Sequence, residues 1–155
     1  ARPDAYEALA ERVERKGLRI ASLAEMGADS GDEPPDPERL RGSFAAWRRE
    51  VLNAPGLSPR THWVALDGER PVGMTFLKRL SEDAAENDYT GVASSHRGRG
   101  IAPALKLRAI AWARERGVGW FYTSSEIGNA RMIGINSRLG YRPGAQRLEV
   151  AQNLP

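Results

Sequence analysis

The fold of this chain is indicated most strongly by SSHRGRGIAPALKLRAIAWARERG, which runs from Ser94 to Gly117. The stretch begins with small and basic residues, and from about Ile101 it changes to an apolar pattern with helical periodicity. Pro103 fits the first turn of such a helix, because first-turn amides have no partner within the helix. We therefore predict a loop that leads directly into a helix.

The loop has the properties of an anion site. Free amides of the first helical turn and the helix dipole both favour a negative group. Gly98 and Gly100 allow successive N–H groups to converge on one point, and Arg97 and Arg99 add positive charge. A nucleotide P-loop is excluded because Gly100 is followed by Ile-Ala, and a dinucleotide fingerprint is excluded because Pro103 replaces its third glycine. The stretch therefore suits a phosphate or pyrophosphate.

Strands and helices alternate around this loop. We predict a strand at 87–94 before it, a buried strand at 118–125 after its helix, and then a short helix with Asn129 as N-cap and Gly140 as stop. This strand–helix–strand order favours parallel pairing in a mixed α/β fold. The remaining predicted elements are a helix at 4–16, a strand at 18–24, a loop at 26–37, a helix from 36, a hairpin at 61–79 and an extended segment at 145–150.

Length and composition predict one folded domain, with 155 residues, 41% of them hydrophobic and 28% charged, and a net charge of +3. Because no apolar run approaches 18 residues and no basic-then-apolar leader is visible, we expect a cytoplasmic protein without a membrane partner. The absence of cysteine and the presence of two histidines argue against a metal site. We expect His96 at the surface and the four tryptophans in the core.

Two motifs resemble the GNAT superfamily of acyl-CoA-dependent N-acetyltransferases. Its pyrophosphate loop has the pattern [QR]-x-x-G-x-[GA], which RGRGIA at 97–102 matches. Its second signature is an asparagine after the next strand, followed by a helix that ends in Leu-Gly-aromatic, and NARMIGINSRLGY from Asn129 to Tyr141 matches it. The resemblance implies a mixed, centrally splayed β-sheet flanked by helices, with the domain at 18–155 after an N-terminal helix at 1–17.

The resemblance implies acetyl-CoA as the cosubstrate. Its pyrophosphate would bind the amides of the loop, and its pantetheine arm would run along the strand before the loop, in the splay between the two parallel strands. A backbone N–H near Val92 or Ala93 would hold the oxyanion. The implied cofactor-binding residues are Val92, Ala93, Ser94, Arg97, Gly98, Arg99, Gly100, Ile101, Ala102, Asn129 and Asn136.

The implied reaction is direct attack of a primary amine on the thioester. Free alkyl amines have a pKa near ~10, so the reaction needs a base, acting directly or through water. The candidates are Asp88, near where many family members place a strand carboxylate, and Glu126, just beyond the next strand. The resemblance favours Asp88 and chain geometry favours Glu126, and we choose Glu126. The family's acidic tyrosine position is occupied by Asn136, whose amide cannot donate a proton in this way. Water, Tyr89 or Tyr122 would replace it.

Two other functions remain open from the sequence. A looser similarity to the second halves of tandem-GNAT proteins implies a connecting helix at 1–16 and a partner GNAT half or, in its place, a homodimer. In that case the chain would be a non-catalytic acyl-CoA-binding or regulatory half. The basic loop alone suggests a nucleic-acid-binding module, which steep salt dependence would reveal. The two motifs favour an enzyme that acts on a small-molecule or peptide amine, with no nucleic-acid partner.

Overall fold

The computed structural model describes residues 11–22, residue 25 and residues 58–144. The predicted helix from 36, the loop at 26–37 and the extended segment at 145–150 lie outside these residues. Residues 11–14 are helical, and Gly17 at φ 75° turns the chain into the first strand. The elements that follow are β1 (Leu18–Ser22), β2 (His62–Asp67), β3 (Arg70–Arg79), β4 (Ala84–Val92), α1 (Ile101–Glu115), β5 (Trp120–Thr123) and α2 (Ala130–Arg138).

The five strands form one sheet in the order β1-β2-β3-β4-β5. The pairs β1–β2, β2–β3 and β3–β4 are antiparallel, and the β2–β3 hairpin has the turn that the sequence predicts, with Gly68 at φ 59°. β5 is parallel to β4, as expected for strands joined by a helical crossover. The prediction of a mixed sheet with flanking helices is confirmed.

The sheet splays between β4 and β5. The two strands pair from Ala84↔Trp120 to Asn87↔Thr123, whereas β4 continues to Val92. A β-bulge lies at this point, because Phe76 of β3 pairs with Tyr89 and the next β3 residue pairs with Asn87. Asp88 is therefore the extra residue of the bulge. The edge of β4 from 88 to 92 faces an opening, on the order of 16 Å long at ~3.3 Å per residue.

Helix α1 packs on one face of β2, β3 and β4. Its buried face carries the small residues Ala104, Ala109 and Ala113, which allow a close approach to the sheet, and Leu105 fills the space between them. Opposite them lie Trp63, Leu77 and Ala85, each at most 1% exposed. This packing fixes the start of α1, and with it the preceding loop, above the open edge of β4.

Several predicted boundaries were wrong. β4 begins at Ala84 and ends at Val92, so that a 3₁₀ turn at Ser94–His96 replaces the predicted end of the strand. β5 has four residues and is half-exposed, because α1 packs on β2, β3 and β4 and leaves β5 beyond its main contact area. Trp120 is 64% exposed and does not belong to the core, unlike Trp63.

Candidate cofactor and catalytic site

The loop before α1 presents its main chain outward. Gly98 has φ 77° and Gly100, the N-cap of α1, has φ 89°, a region that favours glycine because a Cβ would be strained there. Among the described residues, no hydrogen bond uses the amides of 98–102, and no side chain caps the helix. This stretch therefore offers several free N–H groups at a helix N-terminus, which is the arrangement that binds phosphate groups.

His96 holds the loop against the end of β2. Its Nε2 lies 3.1 Å from Asp67 Oδ2 at the end of β2, and its Nδ1 lies 2.8 Å from Ser95 Oγ. His96 is only 8% exposed, so the expected surface position was wrong. The reason is that the 3₁₀ turn directs the imidazole back onto the β2–β3 hairpin, a contact that is distant in sequence.

Basic side chains hold the loop against the rest of the site. Arg97 Nε donates to Val92 O at 3.1 Å, which folds the arginine back over the end of β4. Lys16 Nζ donates to Arg99 O at 3.3 Å. Arg97 and Arg99 are both exposed, so their guanidinium groups add positive charge beside the free amides.

The open edge of β4 supplies further main-chain groups. Ala93 N donates to Val72 O at 2.9 Å, so this amide faces β3 and does not face the splay. Because main-chain groups alternate along a strand, those of Thr90 and Val92 face the splay. Of the two amides expected near the oxyanion, the Ala93 amide is bonded to β3, and the Val92 amide faces the splay at the loop end of the open edge, away from its closed end.

A cleft of about 150 Å³ lies at the closed end of the splay. The bulge residue Asp88 lines it, together with Asn129, whose Oδ1 accepts from Met132 N at 3.1 Å and caps α2 as predicted. The lining residues are Asn87, Asp88, Tyr89, Thr90, Lys106, Thr123, Ser124, Ser125, Asn129 and Met132. Polar side chains from β4, α1, the end of β5 and the start of α2 thus meet at one place.

The structure places the two candidate bases differently. Asp88 lines the cleft, whereas Glu126 lies in the exposed loop after β5 and does not line it. The sequence argument put the reacting end of the cosubstrate near Val92, but the splay continues down to Asn87 and Thr123. Asp88 therefore lies at the closed end of the opening, and Glu126 lies outside the cleft.

A buried polar network underlies the cleft. Asn87, 2% exposed, donates through Nδ2 to Thr75 Oγ1 at 2.7 Å, and Thr90 Oγ1 donates to Asn87 Oδ1 at 3.1 Å. Lys106 of α1 donates to Asn87 Oδ1 at 2.5 Å and to Thr123 Oγ1 at 3.1 Å. These bonds connect α1 with β3, β4 and β5 at the point where the two parallel strands separate.

Lys106 is a functional candidate that the sequence reasoning missed. It is 1% exposed, and desolvation by burial lowers its pKa from 10.5 to about 8. The available signal was its position, because Lys106 stands between Leu105 and Leu107 in the apolar pattern of α1. A lysine flanked by buried leucines must either extend out of the core or find polar partners within it.

Residues near the end of α2 support the residues that line the cleft. Asn136, 8% exposed, donates through Nδ2 to Ser125 Oγ at 3.0 Å, so it supports the cleft without lining it. Within the described part of the chain, Asn136 Oδ1 and Tyr141 Oη are buried without a hydrogen-bond partner. The ring of Tyr141 lies 5.3 Å from Lys106 Nζ, and burial raises the pKa of the Tyr141 hydroxyl.

The two tyrosines that were expected as alternative acids differ in position, because one lines the cleft and the other does not. Tyr89 lines the cleft and stacks on Phe76 at 5.5 Å between ring centroids. Its hydroxyl lies over Gly91, where an added Cβ would come within 2.3 Å of the oxygen. Tyr122 stacks on Trp120, is 49% exposed and does not line the cleft.

The free loop amides, the open edge of β4 and the polar cleft lie within a region that matches a known family model. The model described as the acetyltransferase (GNAT) family matches residues 7–141. The chain belongs to this family. A search of curated protein sequences found no match. The described helices of this GNAT chain include none that is long and apolar enough to cross a membrane, and its described residues include no cluster of three potential metal ligands.

Solved structures share the GNAT fold at low identity. A transcriptional regulator from Bacillus halodurans C-125 is similar with a TM-score of 0.61 and 20% identity, over 87% of this chain and 99% of its own. The aminoglycoside acetyltransferase meta-AAC0020 from an uncultured soil metagenomic sample, in complex with sisomicin, is similar with a TM-score of 0.60 and 15% identity, over 91% of this chain and 99% of its own. AAC(6')-Iy, in complex with the bisubstrate analog CoA-S-monomethyl-acetylneamine, is similar with a TM-score of 0.61 and 15% identity, over 88% of this chain and 99% of its own.

Proposed function

We propose that this domain transfers an acetyl group from acetyl-CoA to a primary amine by direct attack. The observation that carries the proposal is the open edge of β4, which leads without interruption from the free amides of the loop to Asp88 in the cleft. Acetyl-CoA supplies an acyl group that is activated as a thioester. Structures of similar fold in complex with an aminoglycoside and with a CoA–aminoglycoside analog support an amine acceptor.

The binding roles follow from the direction of the polar groups. The amides of 98–102, with Arg97 and Arg99 beside them, bind the pyrophosphate. The main-chain groups of Thr90 and Val92 pair with the amides of the pantetheine arm, which takes the place of a missing strand. The side chain of Asn129, which lines the cleft, supplies a further polar contact.

Asp88 is the base in this proposal. An alkyl ammonium with a pKa near ~10 must lose a proton before its nitrogen can attack a carbonyl carbon. The position of Asp88 as the extra residue of the bulge and as part of the cleft lining supports this role, in which its carboxylate accepts the proton directly or through one water. Its negative charge also favours the approach of a cationic amine.

Turnover of acetyl-CoA against a panel of primary amines tests the function. Asp88→Asn should lower kcat/KM by roughly 10²-fold or more, the usual scale for a lost general base, with unchanged CoA affinity by calorimetry. Glu86→Gln is the matched control, because Glu86 lies two residues away on β4 and does not line the cleft. A loss in Glu126→Gln without a loss in Asp88→Asn would assign the base to Glu126.

A second candidate function is acyl-CoA binding without catalysis. It is favoured by Asn136, which stands where the family's acidic tyrosine is expected and is bonded to Ser125. Tight CoA binding without turnover of any amine in the panel would support this regulatory role over the enzymatic one.

A further inference from the structure

Lys106 reaches the closed end of the splay from the α1 side of the sheet. Its Nζ binds Asn87 and Thr123, which form the last β4–β5 pair. An arm that runs along β4 from the loop can extend no further than this pair. Lys106 also lines the cleft, so an arm that reached this pair would bring its distal end close to the ammonium group. In acetyl-CoA that distal end is the thioester sulfur.

The ammonium keeps one N–H beyond its two hydrogen bonds, and its charge meets the ring of Tyr141 at 5.3 Å instead of a carboxylate. Two of its three N–H groups bind the neutral oxygens of Asn87 and Thr123, which leaves one for a further acceptor. No ion pair joins Lys106 to a carboxylate within the described residues, and burial is the cause of its pKa shift. A buried cation of this kind favours any partner that gains negative charge nearby.

We propose that Lys106 is the acid that protonates the leaving sulfur of CoA, an inference that rests on the proposed acetyl transfer. As the amine nitrogen bonds to the carbonyl carbon, the C–S bond breaks and its electron pair stays on sulfur. Lys106 Nζ gives one proton to that sulfur and becomes a neutral amine. The attacking nitrogen loses its remaining extra proton to Asp88 or water, and Lys106 regains a proton from solvent, so that the products are an amide and the free thiol.

Burial also makes Lys106 a stronger acid. It lowers the pKa of Lys106 to about 8, toward the pKa of about 8.5 of an ordinary alkyl thiol. Acid catalysis near neutral pH is favoured when the pKa of the donor is lowered in this direction. An unperturbed lysine, with a pKa near ~10.4, would be a much poorer proton donor to a thiolate.

Other groups in this region fit the role less well. Asn136 has an amide and points to Ser125. The Tyr141 hydroxyl has a raised pKa and does not line the cleft. Tyr89 lines the cleft, but its hydroxyl lies over Gly91, nearer the middle of the open edge than its closed end. Lys106 is the group that combines contact with the closed end and a lowered pKa.

The test measures the ionisation of the CoA thiol when CoA is bound. Ultraviolet absorbance of the thiolate is titrated with CoA on the parent protein, on Lys106→Met and on Lys78→Met, a control lysine half-exposed on β3. An adjacent ammonium should lower the pKa of the bound thiol by about one unit or more. The shift should persist in Lys78→Met and disappear in Lys106→Met, whose side chain has similar length and no charge.

A second measurement needs no variant. On the parent protein, calorimetry compares CoA with desulfo-CoA, which lacks the sulfur. If Lys106 faces the sulfur, the preference for CoA should rise several-fold from about pH 6 to about pH 8, because the bound thiol ionises before the free thiol does. A bound thiol that titrates like free CoA, with no such rise, would overturn the role of Lys106. Failure of the parent to bind CoA at all would overturn the proposed function as well.

Discussion

The loop at 97–102 and the closed end of the splay, which we propose bind opposite ends of one cosubstrate, are built by different means. The loop is exposed and uses main-chain amides, whose direction is set by two glycines with positive φ. The closed end is buried and uses side chains from four elements, centred on Lys106 and Asn87. The loop therefore depends on local backbone geometry, whereas the closed end depends on the packing of α1 against the sheet.

This difference explains why the two regions should respond differently to change. An exposed main-chain site tolerates side-chain substitution but not loss of its glycine conformations. A buried polar site tolerates little, because every partner removed leaves another group unsatisfied. It is also sensitive to pH, since the charge of Lys106 has been taken out of water.

The largest effect should be on stability at alkaline pH. The folded pKa of Lys106 is about 8, below its ordinary 10.5, so between these values the unfolded chain binds more protons and stability from this group rises with pH. The full change is on the order of 3 kcal/mol, at ~1.4 kcal/mol per pKa unit. In urea unfolding, the parent should gain this amount relative to Lys106→Met from pH 8 to pH 10.5. A difference in the free energy of unfolding that does not change with pH would contradict the lowered pKa of Lys106.

The next effect isolates the loop. Gly100→Val should weaken CoA binding at least tenfold by calorimetry, because the new side chain strains the N-cap and blocks the approach of the pyrophosphate. Gly117→Val is the matched control, since Gly117 has φ 71° at the other end of α1. Both variants should lose about 1–2 kcal/mol of stability through the positive φ. Equal CoA affinity in the two variants would show that the loop does not bind CoA.

The smallest effect concerns Asn129, which both caps α2 and lines the cleft. Asn129→Ala should lower the free energy of unfolding by about 1 kcal/mol, whereas Asn129→Ser keeps a capping oxygen and should stay within a few tenths. Thermal unfolding measures both. If Ala and Ser variants unfold alike, the cap contributes nothing and the asparagine serves the cleft alone.

The sequence by itself determined the parts of the protein that depend on neighbouring residues. The glycines of the loop, the start of α1 and the N-cap at Asn129 were predicted correctly, because a positive φ, a first-turn proline and a capping side chain each act within a few residues. The β2–β3 hairpin was predicted for the same reason.

The tertiary structure decided where the chemistry is concentrated. The bulge at Asp88 and the end of β4–β5 pairing depend on strand register, which a single strand's sequence does not specify. The burial of Lys106 depends on α1 packing over β4, and that of His96 depends on Asp67, 29 residues away. Because register and burial arise from contacts between distant segments, the position of Asp88 in the cleft, that of Glu126 outside it and the burial of Lys106 became visible only in the folded chain.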